Sequence, residues 1–316
     1  MRYYLGIDLG GTNIVAGVVD ERFNIISKSR RPTILKRSFE DVVADMAAAA
    51  TDALATANLT KADVFYVGIG VPSSVHPQTR RVVFANNLGW KDADVVGEFQ
   101  KSWDIPVSVS NDADCAALGE CHVGAGREYD SILMITLGTG LGGGFVYHKK
   151  LFLGGDGFGI EPGHTVLVQD GCLCTCGNMG CLEAYASVTA LIRQSVDMMM
   201  VYPHSLMWEE SNHDLNRVDG RTAFVAAKRG DWPGKMVVDQ YIRYLAGGLA
   251  SMATLLRPQA IIVGGGVSNE GDYLLEPLRQ QLSRTIYAHD VLSAPTIIKA
   301  QLGNDAGIIG AALLDI

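Results

Sequence analysis

Cys172, Cys174, Cys176 and Cys181 crowd into ten residues, and His164 stands upstream of them behind Glu161-Pro162-Gly163. One imidazole and three thiolates satisfy a tetrahedral zinc ion in a closed Cys3His site, and the glycines between Cys174 and Cys181 permit the tight loop such a site requires. Spacing alone does not say which of the four thiols is left over. A closed site offers no open coordination position, so its metal would be structural. It would pin Glu161 and Glu183, whose carboxylates can accept hydrogen bonds from ligand hydroxyls.

Three glycine turns each follow an apolar run: Asp8-Leu9-Gly10-Gly11-Thr12-Asn13, Gly138-Thr139-Gly140 and Gly264-Gly265-Gly266. Glycine lets backbone N–H groups approach phosphate oxygens with no Cβ in the way, and Thr12 and Thr139 add hydroxyl donors. Each turn by itself reads equally well as a tight hairpin. Asp8 is placed either to hold a magnesium-bound water or to cap its turn. Asn111-Asp112-Ala113-Asp114 closes a strand and opens a helix, which sets carboxylates at a strand end. Phosphoryl transfer needs one carboxylate that orients and deprotonates the attacking hydroxyl while metal and backbone dipoles carry the phosphate charge. Asp112 suits that task; the alternative is that Asn111 or Asp112 only caps the helix. The chain has no G-x-x-x-x-G-K-[ST], which excludes a P-loop enzyme. No turn forms G-x-G-x-x-G opening a helix with an acidic residue about 20 positions on, which disfavours a dinucleotide site.

Elements must hold these residues. Apolar runs over 3–7 and 14–19 predict a hairpin around the first glycine turn, with a third strand near Ile25 and Ile26. Ser38 precedes apolar residues at 39, 42, 43, 46, 50, 53, 54 and 57, a 3.6-residue period with Asp41 as the acidic member of a capping box. Strands are expected over 64–71 and 107–109 with a helix over 95–103 between them, so the first half is α/β. The pattern then restarts: 132–137 and 145–147 flank the glycine-rich stretch 138–144, a weak internal repeat that predicts a duplicated fold. Helices over 188–200, 237–256 and 273–283 and strands over 260–263 and 296–300 follow, and a last helix over 306–314 returns to the first domain. A chain of 316 residues is about twice the usual domain length. Two α/β domains around a cleft are expected: a small one of 1–111 plus 302–316, and a larger one of 112–301 carrying the cysteine loop.

Composition narrows the partners. Hydrophobic residues make up 48% and charged residues 19%, so the chain can fold throughout. A net charge of −8 without a Lys/Arg cluster removes the electrostatic footprint of a nucleic-acid binder. Asp8 interrupts the first apolar run too early for a signal peptide. The longest uncharged stretch, 131–147, is too rich in glycine for a membrane helix. The expectation is a cytoplasmic protein with no membrane partner, where clustered cysteines bind metal rather than pair as disulfides.

These motifs together resemble the ROK family (repressors, open reading frames and kinases), and within it most of all the bacterial ATP-dependent glucokinases. The resemblance runs over essentially the whole chain. It is carried by Asp8 to Asn13, by Leu137-Gly138-Thr139-Gly140-Leu141-Gly142-Gly143-Gly144, by the cysteine segment, and by Ala300-Gln301-Leu302-Gly303-Asn304-Asp305-Ala306-Gly307. It implies the actin-like ATPase (ribonuclease H-like) fold, with nucleotide and sugar between two domains. It implies a kinase that moves the γ-phosphate of ATP, with Mg2+, onto the 6-hydroxyl of an aldohexose, glucose first. Asp112 is then the catalytic base, and Asn87, Asn111, Asp112, Glu161, His164 and Glu183 contact the sugar. Asp8, Gly10, Gly11, Thr12, Asn13, Gly138, Thr139, Gly140, Gly264, Gly265 and Gly266 serve ATP. Zinc falls on His164, Cys174, Cys176 and Cys181, leaving Cys172 outside, and the family's habit implies a homodimer or homotetramer.

The chain departs from the family pattern at three places. Ser110-Asn111-Asp112-Ala113-Asp114 stands where Glu-Asn-Asp-Ala-Asn is usual, Ser73 where glycine is common, and Pro162 where an aromatic or aliphatic residue is common. Ser73 and Pro162 fall near the expected sugar, so allose, mannose, fructose and N-acetylhexosamines stand beside glucose as substrates. The family's repressors carry an extra N-terminal helix-turn-helix domain, whereas here the first sheet begins within five residues of Met1. A non-catalytic sugar sensor would have no need of Asp112 together with both phosphate turns. A zinc module for nucleic acid is opposed by the acidic balance.

Overall fold

Alternation along the first strands decides what each face of the first sheet can carry. The computed structural model describes residues 2–34, 37–85 and 88–315. Strands β1 (Tyr3–Leu9) and β2 (Asn13–Asp20) pair antiparallel with Leu9 opposite Ile14, and β3 (Ile25–Pro32) joins the outer edge of β2. Helix α1 (Phe39–Thr56) starts where the Ser38 hydroxyl accepts the Asp41 N–H at 3.2 Å. Strand β4 (Val64–Val71) lies parallel to β1. After a small antiparallel sheet of β5 (Ser74–Val75), β6 (Val82–Ala85) and β7 (Trp90–Ala93) come α2 (Val95–Gln100) and β8 (Val107–Asn111), and β8 runs parallel to β4. Helix α3 (Asp112–His122) leaves β8 with no linker. The sheet order is β3-β2-β1-β4-β8.

Because side chains alternate, Leu5, Ile7 and Leu9 share a core with Val67, Ile69 and Val71, with Val107 and Val109, and with Val42, Met46 and Ala50 of α1. The opposite face carries Tyr4, Gly6 and Asp8 on β1, Tyr66, Gly68 and Gly70 on β4, and Ser108 and Ser110 on β8. That face is kept small so that a helix backbone can come close.

The second half contributes β9 (Ile132–Leu137), β10 (Leu141–Tyr147), β11 (Lys150–Leu151), α4 (Glu183–Ala186), α5 (Val188–Val201), α6 (Leu206–Glu210), α7 (Thr222–Lys228) and α8 (Trp232–Leu256). It ends with β12 (Ala260–Gly264), α9 (Asp272–Thr285), β13 (Thr296–Lys299) and α10 (Ala306–Ala311). Its sheet order is β11-β10-β9-β12-β13. Helix α8 opens on an Asp231 cap, whose carboxylate accepts the Gly234 N–H at 2.9 Å, with Pro233 in the first turn where a missing N–H costs nothing. No helix among the described residues is long and apolar enough to cross a membrane.

Two compact units emerge: residues 1–134, 144–160 and 301–316, and residues 135–143 and 161–300. The sequence pattern places the break at 111/112, whereas α3 groups with the first unit. Packing on α10 is the reason. A Cβ at Gly6, Gly68 or Gly119 would overlap a carbonyl of Ile308, Ala311 or Ala306, so β1, β4 and α3 all press against that one helix. The glycine stretch also differs from expectation. Only Gly138–Gly140 form the turn, and Gly142, Gly143 and Gly144 belong to β10. A Cβ at Gly144 would lie 2.9 Å from both Ala117 Cβ and Asp114 Oδ1, so the strand needs glycine there to pass α3.

Candidate active site

In the first unit the parallel register aligns Asp8 with Gly70, and Gly70 with Ser110. Asp8 and Asp112 therefore stand at the ends of strands on either side of β4, with glycine between them. A Cβ at Gly307 would be 3.0 Å from Asp8 Cγ, so that glycine makes room for the Asp8 carboxylate, while a Cβ at Gly70 would meet Asp112 Cα at ordinary contact distance. Burial first and the Asp112 charge second push the Asp8 carboxyl up to about 7. Burial also raises the Asp112 carboxyl, opposed by its acceptance of the Ala113 N–H at 2.9 Å. Two like charges held close on one face form an arrangement that a divalent cation relieves, and the Asp8 carboxyl can take a proton near neutral pH.

Asn111 is the helix cap. Its Oδ1 accepts from the Ala113 and Asp114 N–H groups at 2.7 and 3.3 Å, and its Nδ2 donates to the Ser73 carbonyl at 3.0 Å. The cap is Asn111, and Asp112 shares the Ala113 N–H with it through one carboxylate oxygen. The first glycine turn closes with Gly10 N–H on the Asn13 carbonyl at 2.8 Å. Thr33 braces it, donating its hydroxyl to the Gly10 carbonyl at 2.8 Å and its N–H to the Thr12 carbonyl at 2.9 Å. Around Gly11 nothing lies within 4 Å of where a Cβ would stand, so that side of the turn is open.

The second unit holds the thiols. His164, Cys174, Cys176 and Cys181 bring one ligand atom each to within 4.8 Å of one another. Zinc bonds of about 2.3 Å to sulfur and about 2.05 Å to nitrogen give tetrahedral edges of about 3.8 Å between sulfurs and about 3.6 Å from sulfur to nitrogen. The observed Cys176–Cys181 separation is 3.7 Å and Cys174 lies 3.6 Å from His164 Nδ1. The donor set therefore fits the ion. Burial and the adjacent Cys176 and Cys174 push the Cys181 thiol up to about 12, so three thiolates could coexist here only around a cation. Cys172 is occupied elsewhere: its N–H donates to the Tyr185 hydroxyl at 2.7 Å and its sulfur faces Arg193 at 3.7 Å.

Glu183 joins the cysteine loop to the second glycine turn. Oε1 accepts the Thr175 hydroxyl at 2.7 Å, and Oε2 accepts the Leu141 N–H at 3.0 Å. A Cβ at residue 140 would overlap that Oε2, so Gly140 makes room for a carboxylate of this chain. The Gly138 and Thr139 carbonyls accept from the Val188 N–H and the Thr189 hydroxyl at 2.9 and 2.7 Å. In the third turn Gly265 has φ 84° and lies against the Leu137 backbone, where a Cβ would clash. The second and third turns are therefore neighbours.

Glu161 is exposed and precedes the short turn Pro162–His164, with its carbonyl accepting the His164 N–H at 3.1 Å. Asn87 lies outside the described residues. Thr33, Gly70, Thr175 and Gly307 stand behind these sites, against their residues, without being among the residues that motif and spacing single out. Gly70 has a signal in the alternating Gly68-x-Gly70 of an otherwise apolar strand, and Gly307 closes the 300–307 segment, whereas Thr33 and Thr175 carry none.

The sequence matches the model of the ROK family over residues 4–316. The glucokinase of Streptomyces coelicolor is 37% identical over 313 residues, which is 98% of this chain and 96% of that protein. The glucokinase of Thermotoga maritima is 37% identical over 309 residues, covering 98% and 95%. The crystal structure of a ROK family glucokinase from Streptomyces griseus in complex with glucose and AMPPNP superposes with a TM-score of 0.85 at 36% identity, covering 99% of this chain and 98% of that one.

Proposed function

The chain belongs to the ROK family and has its actin-like ATPase fold, and from that premise we propose that it is an ATP-dependent glucokinase in which Asp112 is the base. The reading is supported most by one observation: in a chain alike over nearly its full length to two glucokinases, a buried carboxylate of raised proton affinity opens a helix at a strand end. Asp112 accepts the proton of the sugar 6-hydroxyl as that oxygen attacks the γ-phosphorus, the bond from that phosphorus to the bridging oxygen breaks and ADP leaves, and the capped start of α3 keeps the carboxylate aimed. Asn111, Glu161, His164 and Glu183, with Asn87, orient the sugar. The turns 10–13, 138–140 and 264–266 offer backbone donors to ATP. Magnesium, when bound, supplies charge neutralisation on the phosphates, and Asp8 is the residue that would hold its water. Zinc, when bound to His164, Cys174, Cys176 and Cys181, supplies a cross-link that stiffens the loop beside Glu183. A homodimer or homotetramer in the cytoplasm completes the proposal.

A second reading, a kinase for allose, mannose, fructose or an N-acetylhexosamine, is favoured by Ser73, which is buried and whose carbonyl is tied to Asn111. A coupled ADP assay across these sugars and glucose separates the two. Glucose should give the highest kcat/KM. Preference for another hexose removes glucose and keeps the kinase, whereas ADP formation independent of every sugar tested removes the kinase.

A further inference from the structure

Glu183 stands in the function above as a sugar contact, yet both of its carboxylate oxygens are already engaged, one on the cysteine loop and one on the glycine turn. A carboxylate oxygen holds a donor near its lone-pair direction, and bonds to an ionised acceptor are about twice as strong as neutral ones. With Oε1 held chiefly by the Thr175 hydroxyl at 2.7 Å, the Cys174 sulfur standing farther off at 3.5 Å, and Oε2 by Leu141, the group cannot rotate without breaking a bond. A Cβ at residue 140 would stand against the same carboxylate, so the carboxylate packs directly on the turn. The same short segment, 183–189, supplies the donors from Val188 and Thr189 that hold the Gly138 and Thr139 carbonyls. Turn 138–141 is thus shaped from one side by a single stretch of chain, and Thr175 anchors that stretch to the loop bearing Cys174 and Cys176.

We propose that Glu183 is a positioning residue for the nucleotide turn, and that the Thr175 hydroxyl, by fixing its carboxylate, makes the affinity for ATP depend on the order of the cysteine loop. This rests on the assignment of turn 138–140 to ATP. It adds a route by which the loop's state reaches the nucleotide as well as the sugar.

Thr175 is exposed and holds no place among the sugar or nucleotide contacts, so Thr175→Val tests the link without opening the core, and Thr175→Ser keeps the hydroxyl. In Thr175→Val the KM for ATP should rise about three- to tenfold, the loss expected for one ordinary solvent-exposed hydrogen bond, with kcat within about twofold. Thr175→Ser should return the KM for ATP to the unaltered protein's value. Amide hydrogen exchange should show Leu141 opening faster in Thr175→Val and at the original rate in Thr175→Ser. An unchanged KM for ATP in Thr175→Val, a serine variant that fails to restore it, or unaltered exchange at Leu141 overturns the proposal. Absence of sugar-dependent ADP formation by the unaltered protein would instead remove the functional reading, and the exchange comparison would still judge the link.

Discussion

Asp8 and Asp112 come from distant parts of the chain, and the cysteine loop comes from a single short one. The carboxylates meet because β1, β4 and β8 hold one register and because α10, from the far end of the chain, packs on their small-residue face. The thiols meet through local turns. Cys174 N–H reaches the Asn178 carbonyl at 2.8 Å, Gly177 N–H reaches the Cys174 carbonyl at 3.0 Å, and Gly177 and Gly180 take φ of 92° and 81° that other residues rarely adopt. A site of the first kind is robust to the loss of one side chain, because the sheet persists without it. A site of the second kind has little besides its ligands to hold it, so its chemistry and its folding are the same event.

That contrast gives opposite signatures when each region is damaged. Asp112→Ala should lower kcat by about 10^3-fold, the scale of a lost general base, while hexose binding by calorimetry changes little. Its melting temperature should stay within about 2 °C of the original, because no buried partner is stranded. Sugar-dependent turnover surviving in this variant would refute Asp112 as base. Cys181→Ser should do the reverse. The unaltered protein, purified without chelator, should carry one zinc per chain by elemental analysis, and the serine variant substantially less. Its melting temperature should fall by about 3–5 °C, as for a loss of about 2–3 kcal/mol in a chain of this size. Finding no zinc in the unaltered protein would end the metal assignment, and an unmoved melting point would show that the loop is held by its turns alone.

The same contrast explains which parts of each site are legible in the sequence. A ligand set within one short loop leaves its spacing there, and a Cys3His set of His164 with three of the four clustered thiols can be read from it. The exclusion of Cys172 needs the resemblance, because the groups that occupy it, Tyr185 and Arg193, sit on later helices whose approach spacing does not encode. Asp112 is legible as a carboxylate at a strand end, but its apposition to Asp8 depends on register between strands far apart in the chain. Glu183 reads as a ligand contact, and its bond to Leu141 is invisible to motif spacing because it joins residues 42 positions apart. Gly142 to Gly144 look like turn residues, since glycine is the commonest turn former. All three lie in β10, and at Gly144 close passage of α3 is the reason for the glycine.

The smallest effect tests the apposition itself. The Asp8 carboxyl, raised by burial and then by the Asp112 charge from 3.8 to about 7, keeps its proton in the folded chain where the unfolded chain has lost it. The folded state is favoured by that proton below pH 3.8, and the advantage disappears as pH rises through about 7. Asp8→Asn removes the titration. Without added magnesium, the asparagine variant should gain stability over the unaltered protein as pH rises from 4 to 7 and hold a constant lead above. The lead should be about 1–2 kcal/mol after allowing for solvent at a partly exposed carboxylate, or about 2–3 °C in melting temperature. Taking the difference between the two proteins cancels every other titrating group. A difference that stays flat from pH 4 to 8 would mean that Asp8 is solvated and distant from Asp112. The shared register of β1, β4 and β8 would then have no consequence for the site, even with the strands paired as described.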